Sequence, residues 1–151
     1  MRLLIATDGS DLAVEAAKQA LSLLTEPGEI TVVTAIGAPA GEDEVSGFAG
    51  PTEPPEEQER ILTEHEIEAT AHIDATLMAL GVDHAERRIV AGEAGPAICA
   101  VAKDVLADVV VVGSHGRGLL GRAVLGSVSD YVTRHAPCPV LVVRADADGG
   151  A

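Results

Sequence analysis

Tryptophan is absent, and the 151 residues include a single tyrosine, Tyr131, and a single phenylalanine, Phe48. The core must therefore be aliphatic, drawn from the Ala, Val, Leu and Ile that dominate an apolar share of 47%. So few rings also leave no stacking platform for single-stranded bases. Cations are scarce as well: ten Lys and Arg stand against 24 Asp and Glu, a formal net charge of −14. Such a surface repels nucleic acid and anionic membranes, so neither is expected as a partner. Ammonium groups come only from Lys18 and Lys103, the other eight cations being arginines. An acid-rich, lysine-poor surface suits a halophile's need for hydration, and equally an ordinary acidic soluble protein.

The two cysteines, Cys99 and Cys138, form no CxxC or zinc spacing. Reduced, buried structural thiols are the expectation. No apolar stretch approaches the ~20 residues of a membrane span. The amino terminus opens directly on a strand-like run with no signal peptide visible, so a cytoplasmic placement is expected.

Four apolar runs read as buried parallel strands: Leu3–Thr7, Ile30–Ile36, Asp108–Gly113 and Pro139–Val143. Glu86–Ala91 is a fifth, weaker candidate. Helical patterns lie between them. Leu12 to Leu24 follows Ser10, a suitable N-cap. Glu56 to Leu80 ends at Gly81, a suitable C-cap. Pro96 to Leu106 opens on a proline suited to a first turn. Ser127 to His135 is stopped by Pro137 and Pro139. Alternating strand and helix predict a doubly wound α/β domain over residues 1–145, with helices on both faces of a parallel sheet and a disordered tail at 146–151. Gly37 to Pro55 breaks the rhythm. Its glycines alternate with Pro39, Pro51, Pro54, Pro55, Glu42, Asp43, Glu44 and Glu53, and it exceeds the roughly 2–6 residues usual for such connections. It reads as a flexible insertion or a lid.

The chemistry is concentrated after the strand ending at Gly113, in Gly113-Ser-His-Gly116-Arg-Gly-Leu-Leu-Gly-Arg-Ala-Val-Leu-Gly126-Ser127. Glycines let backbone N–H groups approach anionic oxygens without an intervening Cβ. The helix starting near Ser127 aims its free N–H groups and positive dipole end at the same place, and Ser127 adds a hydroxyl. Between Gly113 and His135 the charges are Arg117, Arg122 and Arg134 against Asp130, a local excess of +2 in an acidic chain. A Walker loop is excluded, because neither lysine lies in a Gly-Lys-Ser/Thr context. A literal G-x-G-x-x-G occurs at Gly116, Gly118 and Gly121. It follows the penultimate strand rather than the first, and the next strand brings no acid to hold a ribose, so dinucleotide binding is not expected.

The spacing G-x2-G-x9-G-[ST], met by Gly113, Gly116, Gly126 and Ser127, resembles the ATP-binding signature of the universal stress protein family. The opening Leu3-Leu4-Ile5-Ala6-Thr7-Asp8-Gly9-Ser10 is similar to that family's first strand and turn, and Ala136-Pro-Cys-Pro-Val-Leu-Val-Val143 to its last strand. The resemblance covers roughly residues 1 to 144. It implies a five-stranded sheet in the order 3-2-1-4-5. It implies ATP, or AMP or ADP, as ligand, with Mg or Mn bridging the phosphates and Asp8 as the one nearby carboxylate. Adenine would lie between the tips of the first two strands, near Thr7, Asp8 and Ala35. Val112 and Gly113 would border the ribose and adenine, and Gly116, Gly126, Ser127 and Val128 would line the phosphates. His115 and Arg117 are loop residues that would reach phosphate or stay solvated. Asp8 ends the first strand, facing the ligand crevice of an open sheet; its alternative role is to cap the following helix. The resemblance further implies a homodimer through antiparallel pairing of the last strand, an isologous contact.

No catalytic residue is assigned. Asp8, His115 and a serine suggest a hydrolase triad, but there is no nucleophile elbow, and the sequence sets no base beside Ser114 or Ser127. His65, Glu68 and His72, at i, i+3 and i+7, resemble a metal stripe, although a solvated helix face is the plainer reading. A regulatory, stress-linked nucleotide-binding dimer is the leading expectation. A dimeric scaffold that uses no nucleotide and a slow ATPase or adenylyl-transfer enzyme are the alternatives. Unfolding curves at low and at molar salt separate the two readings of the acidic surface: a halophile's protein gains stability with salt, an ordinary one changes little.

Overall fold

The computed structural model describes residues 1–37, 54–115 and 125–144. Among them the order is β1 (Arg2–Ala6), α1 (Asp11–Leu23), β2 (Glu29–Ile36), α2 (Pro55–Leu80), β3 (Glu86–Ala91), α3 (Ala94–Asp104), β4 (Val109–Gly113), α4 (Ser127–His135) and β5 (Val140–Val143). The strands form one five-stranded sheet, ordered β3-β2-β1-β4-β5, with every pairing parallel. This is the expected doubly wound α/β fold. The expected insertion at about 37–55 and the tail fall almost wholly outside the described residues; Pro55 already begins α2.

The sheet is covered on both faces because side chains along each strand point alternately up and down. Leu3 and Ile5 of β1 join Ala16, Ala17 and Ala20 of α1 and Ile73 and Leu77 of α2 in one aliphatic layer. Leu4 enters the opposite layer with Ile98, Val101 and Ala102 of α3 and Val132 of α4. Among the described residues no ring fills either layer; small alanines on α1 let that helix lie close to the strands. Cys99 and Cys138 are half-buried against the second layer rather than fully enclosed. Burial pushes both thiols up, aided by each other's proximity at Cys99 and by Asp108 at Cys138. Both are therefore poor nucleophiles at neutral pH.

Helix ends follow local chemistry. Ser10 caps α1, its hydroxyl accepting from the Ala13 N–H. Gly81 ends α2 in the left-handed conformation, as a C-terminal glycine should. The third helix differs from expectation: it begins at Ala94, so Pro96 is the third residue of the first turn, and it ends at Asp104. The early stop has a visible cause. Leu106 adopts φ 52°, its N–H bonding Lys103 O at 3.2 Å while the Ala107 N–H bonds Ala102 O at 2.9 Å. That is a Schellman ending with leucine where glycine is preferred.

Two glycines are fixed by packing. Gly9, at φ +72°, faces the His72 ring, and a Cβ there would lie 2.3 Å from His72 Cδ2. Gly95 lies under Tyr131, whose ring would be 2.8 Å from an added Cβ; it lets α3 approach α4. Two opposite outcomes follow. Leu106→Gly relieves a left-handed leucine on an exposed site and should raise stability by about 0.5–1 kcal/mol. Gly9→Ala combines left-handed strain with a clash and should lower it by about 2–4 kcal/mol. Urea unfolding of the two variants checks both signs.

Candidate functional site

In an open parallel sheet the strand order reverses at one point, and the loops leaving the carboxyl ends there diverge and leave a crevice. Here β1 lies between β2 and β4, and at that point the structure has a cavity of about 320 Å³. Thr7 and Asp8 beyond β1, Ala35 on β2, Val112 and Gly113 on β4, His115, and Gly126, Ser127 and Val128 at the start of α4 all line it. Nine of the eleven residues expected at a site are thus brought together. The other two, Gly116 and Arg117, lie outside the described residues, as does the G-x-G-x-x-G run.

The two ends of the cavity differ. Toward the sheet the wall is apolar, from Ala6, Ala13, Val33, Ala35, Ala94, Ile98 and Val112. Toward α4 it is backbone. Gly126 is the N-cap of that helix and supplies no side-chain cap, so the first N–H groups of α4 are left for another acceptor. The start of α4 is anchored on Ser114: the Gly126 N–H donates to Ser114 O at 2.8 Å, and the Ser129 hydroxyl lies 3.0 Å from both Ser114 O and Gly126 O. Buried Ser129 thereby fixes the start of α4. Sequence reasoning missed it, although its place two residues beyond Ser127, in Gly126-Ser-Val-Ser129, was a readable signal. It also missed Ala6, Ala13, Val33, Ala94 and Ile98 of the wall, and of these only Ala94 precedes the expected start of α3 at Pro96.

Thr7 is committed to the scaffold. Thr76 donates its hydroxyl hydrogen to His72 O at 2.8 Å, so the 3.0 Å contact between the two threonine oxygens runs from Thr7 to Thr76. Thr7 Oγ1 accepts from the Gly9 N–H at 3.1 Å, and Thr7 O accepts the Thr34 hydroxyl at 2.9 Å. This chain fastens the β1 turn to α2 and β2. Asp8 has a structural role of the kind weighed from sequence: its Oδ1 accepts from the Ser10 N–H at 3.0 Å and from the Ser10 hydroxyl at 2.6 Å. It orients the cap of α1 while standing in the cavity wall.

Two sequence readings change, and a third is located. The local excess of +2 rests on Arg117 and Arg122, outside the described residues, because Arg134 pairs with Asp130 at 3.2 Å. A base does stand beside Ser114, with His115 Nδ1 2.9 Å from its Oγ. Ser114 is nevertheless buried, and it faces a void of about 10 Å³ rather than the main cavity, too small for any substrate carbonyl. Finally, His72 is not on a fully solvated face: it is half-buried over Gly9 and 3.6 Å from Glu68. No cluster of His, Cys, Asp and Glu suited to a metal ion occurs among the described residues, and no described helix is long and apolar enough to cross a membrane.

Comparison with known proteins agrees with this architecture. A universal stress protein of Methanocaldococcus jannaschii is 34% identical over 147 residues, spanning 95% of this chain and 81% of that protein. One from Thermus aquaticus is 34% identical over 143 residues, spanning 94% and 97%. Among solved structures, the protein MJ0577, studied as a test case of structural genomics, superimposes with a TM-score of 0.76 at 25% identity, over 97% of both chains. A universal stress protein in complex with cAMP superimposes with a TM-score of 0.56 at 27% identity, over 95% of both. Residues 1–144 match the universal stress protein family as a whole, and the chain belongs to that family.

Proposed function

We propose that this protein binds an adenine nucleotide, with ATP the ligand implied by the resemblance of its glycine loop to the universal stress protein signature, and that it acts as a regulatory nucleotide-binding protein. The observation that carries the reading is the behaviour of two signature glycines. Gly126 has φ −64° and ψ 160°, torsions open to any residue. A Cβ on it would come no nearer than 3.4 Å to the described residues around it, and one on Gly113 no nearer than 3.5 Å. Among the described residues nothing requires glycine at either position, unlike Gly9 and Gly95. The requirement lies in what approaches from the cavity, and bare backbone at a helix start suits a phosphate.

The residues fit such a ligand in parts. The apolar wall from Val33 to Ile98 suits a flat, weakly hydrated base. The start of α4 suits phosphate oxygens, with Ser127 available as a hydroxyl donor, and Gly116 and Arg117 are proposed to complete that end. Asp8 faces the ribose and base side. A divalent ion would be held chiefly by phosphate oxygens and water, as magnesium prefers. The related protein with cAMP supports the adenine nucleotide class. Among the described residues nothing in the cavity supplies an activated nucleophile, and binding rather than turnover is the proposed activity.

The last strand supports a second part of the reading. β5 ends the sheet, and its Val140, Leu141 and Val142 are only half-buried. An apolar edge is a liability unless paired, and pairing with its counterpart in a second copy would cover it. A dimer in sedimentation velocity at tens of micromolar is expected; a monomer removes this part.

Nucleotide released on denaturing the purified protein, identified by chromatography, tests the main reading directly. Gly126→Val should weaken ATP binding by about tenfold or more, since a branched side chain blocks the backbone approach. Its melting temperature should stay within a few degrees of the parent. Unchanged affinity would refute this placement of the site.

A further inference from the structure

The core is aliphatic, yet buried hydroxyls gather where β1 runs out. Thr7 beyond β1, Thr34 on β2 and Thr76 on α2 are 7%, 4% and 0% exposed. Thr7 lines the main cavity and Thr76 does not. A valine at 76 would have nearly the same shape and would bury no polar atom, so the hydroxyl adds nothing to the packing of the core. We infer that Thr76 is a positioning residue for the nucleotide site, acting through Thr7 on the turn that carries Asp8.

The inference rests on the nucleotide reading above and follows from the direction of the hydrogen bonds. Each threonine hydroxyl has one hydrogen to donate and lone pairs to accept with. Thr76 spends its hydrogen on His72 O at 2.8 Å. It therefore accepts the Thr7 hydrogen at 3.0 Å. With its hydrogen committed to Thr76, Thr7 Oγ1 presents a lone pair to the Gly9 N–H at 3.1 Å. The chain thus runs one way, from Gly9 through Thr7 and Thr76 to a carbonyl inside α2. Its first bond spans one residue, and that residue is Asp8, so the chain closes a tight turn around the carboxylate in the cavity wall. The next turn overlaps it, Asp8 Oδ1 accepting from the Ser10 N–H at 3.0 Å. Gly9 lies between the two at φ +72°, which fixes their relative tilt. Thr76 acts from the layer opposite α3 because the turn it holds rises from the tip of β1, the strand both layers share. Without the Thr76 oxygen the buried Thr7 hydroxyl rotates toward another acceptor, its lone pair leaves Gly9, and the turn under Asp8 loosens.

The experiment reads the turn and the ligand in the same variants. Thr76→Val removes the oxygen and keeps the shape; Thr76→Ser keeps the oxygen. In Thr76→Val without nucleotide, the Gly9 amide should exchange its hydrogen about tenfold faster by NMR, as loss of one buried hydrogen bond implies. By calorimetric titration, ATP should bind that variant about tenfold more weakly. Thr76→Ser should bring both back to within about twofold of the parent. Tripolyphosphate, which would reach only the α4 end, should bind the parent and Thr76→Val alike, whereas a general loosening of the fold weakens both ligands. Circular dichroism melting checks folding, and Thr76→Ala, with the same expected losses, replaces a valine variant that does not fold. Unchanged ATP affinity, unchanged Gly9 exchange, or an equal loss for ATP and tripolyphosphate overturns the role of Thr76 and leaves the nucleotide site standing. Failure of the parent to bind ATP overturns both.

Discussion

The central strand β1 has hydrogen-bonded neighbours on both edges and helices on both faces, and this enclosure governs where the molecule can do anything. Leu3, Leu4 and Ile5 are at most 1% exposed, and their backbone groups are consumed by β2 and β4. Polar backbone becomes available only where β1, β2 and β4 run out. Because β1 connects through α1 to one neighbour while its other neighbour arrives later in the chain, the loops at these ends diverge rather than cover one another. The cavity is a consequence of strand order, and its apolar wall is the top of the two aliphatic layers.

The glycines of the chain divide along the same line. Gly9 and Gly95 serve the fold: one turns the backbone left-handed under an imidazole, the other admits a tyrosine ring between two helices. Among the described residues, Gly113 and Gly126 serve neither torsion nor packing. A sequence motif shows only that glycines recur at a spacing; the surroundings of each Cα show which are demanded by the polypeptide itself.

This contrast also explains what could be read without coordinates. The buried strands were legible because a parallel sheet enclosed on both faces needs unbroken apolar runs, and Val109–Gly113 has one. The edge strand β3 was a faint signal because Glu86, Arg87 and Arg88 interrupt its apolar run, as an exposed edge permits. The termini of α3 were misread because Pro96 looked like a first residue and the stop is a left-handed leucine, which carries none of glycine's signal. Nine wall residues followed from the motif and the family resemblance. Ala94 and Ile98 reach the cavity by packing between elements far apart in sequence, which spacing within one motif does not encode, whereas Ser129 lay two residues beyond Ser127. The contact of His115 with Ser114 was likewise missed, since two adjacent side chains can face together or apart.

The electrostatics bear on how an acidic protein can hold an anion at all. A net charge of −14 repels a nucleotide at long range, but at physiological ionic strength that field decays over about 8 Å. Within the cavity the described charged or titratable groups are only Asp8 and His115, and Arg134 is neutralised by Asp130. Attraction from this part of the wall therefore comes from oriented N–H groups at the start of α4, whose partial charges act at contact distance and cost no reorganisation. Such donors discriminate by geometry more than by charge. The proposed phosphate end consequently depends on the position of Gly126, and Gly126 depends on the two buried hydrogen bonds that Ser129 makes to Ser114 and to Gly126 itself. A short helix held in place by one buried hydroxyl is the point at which packing becomes recognition.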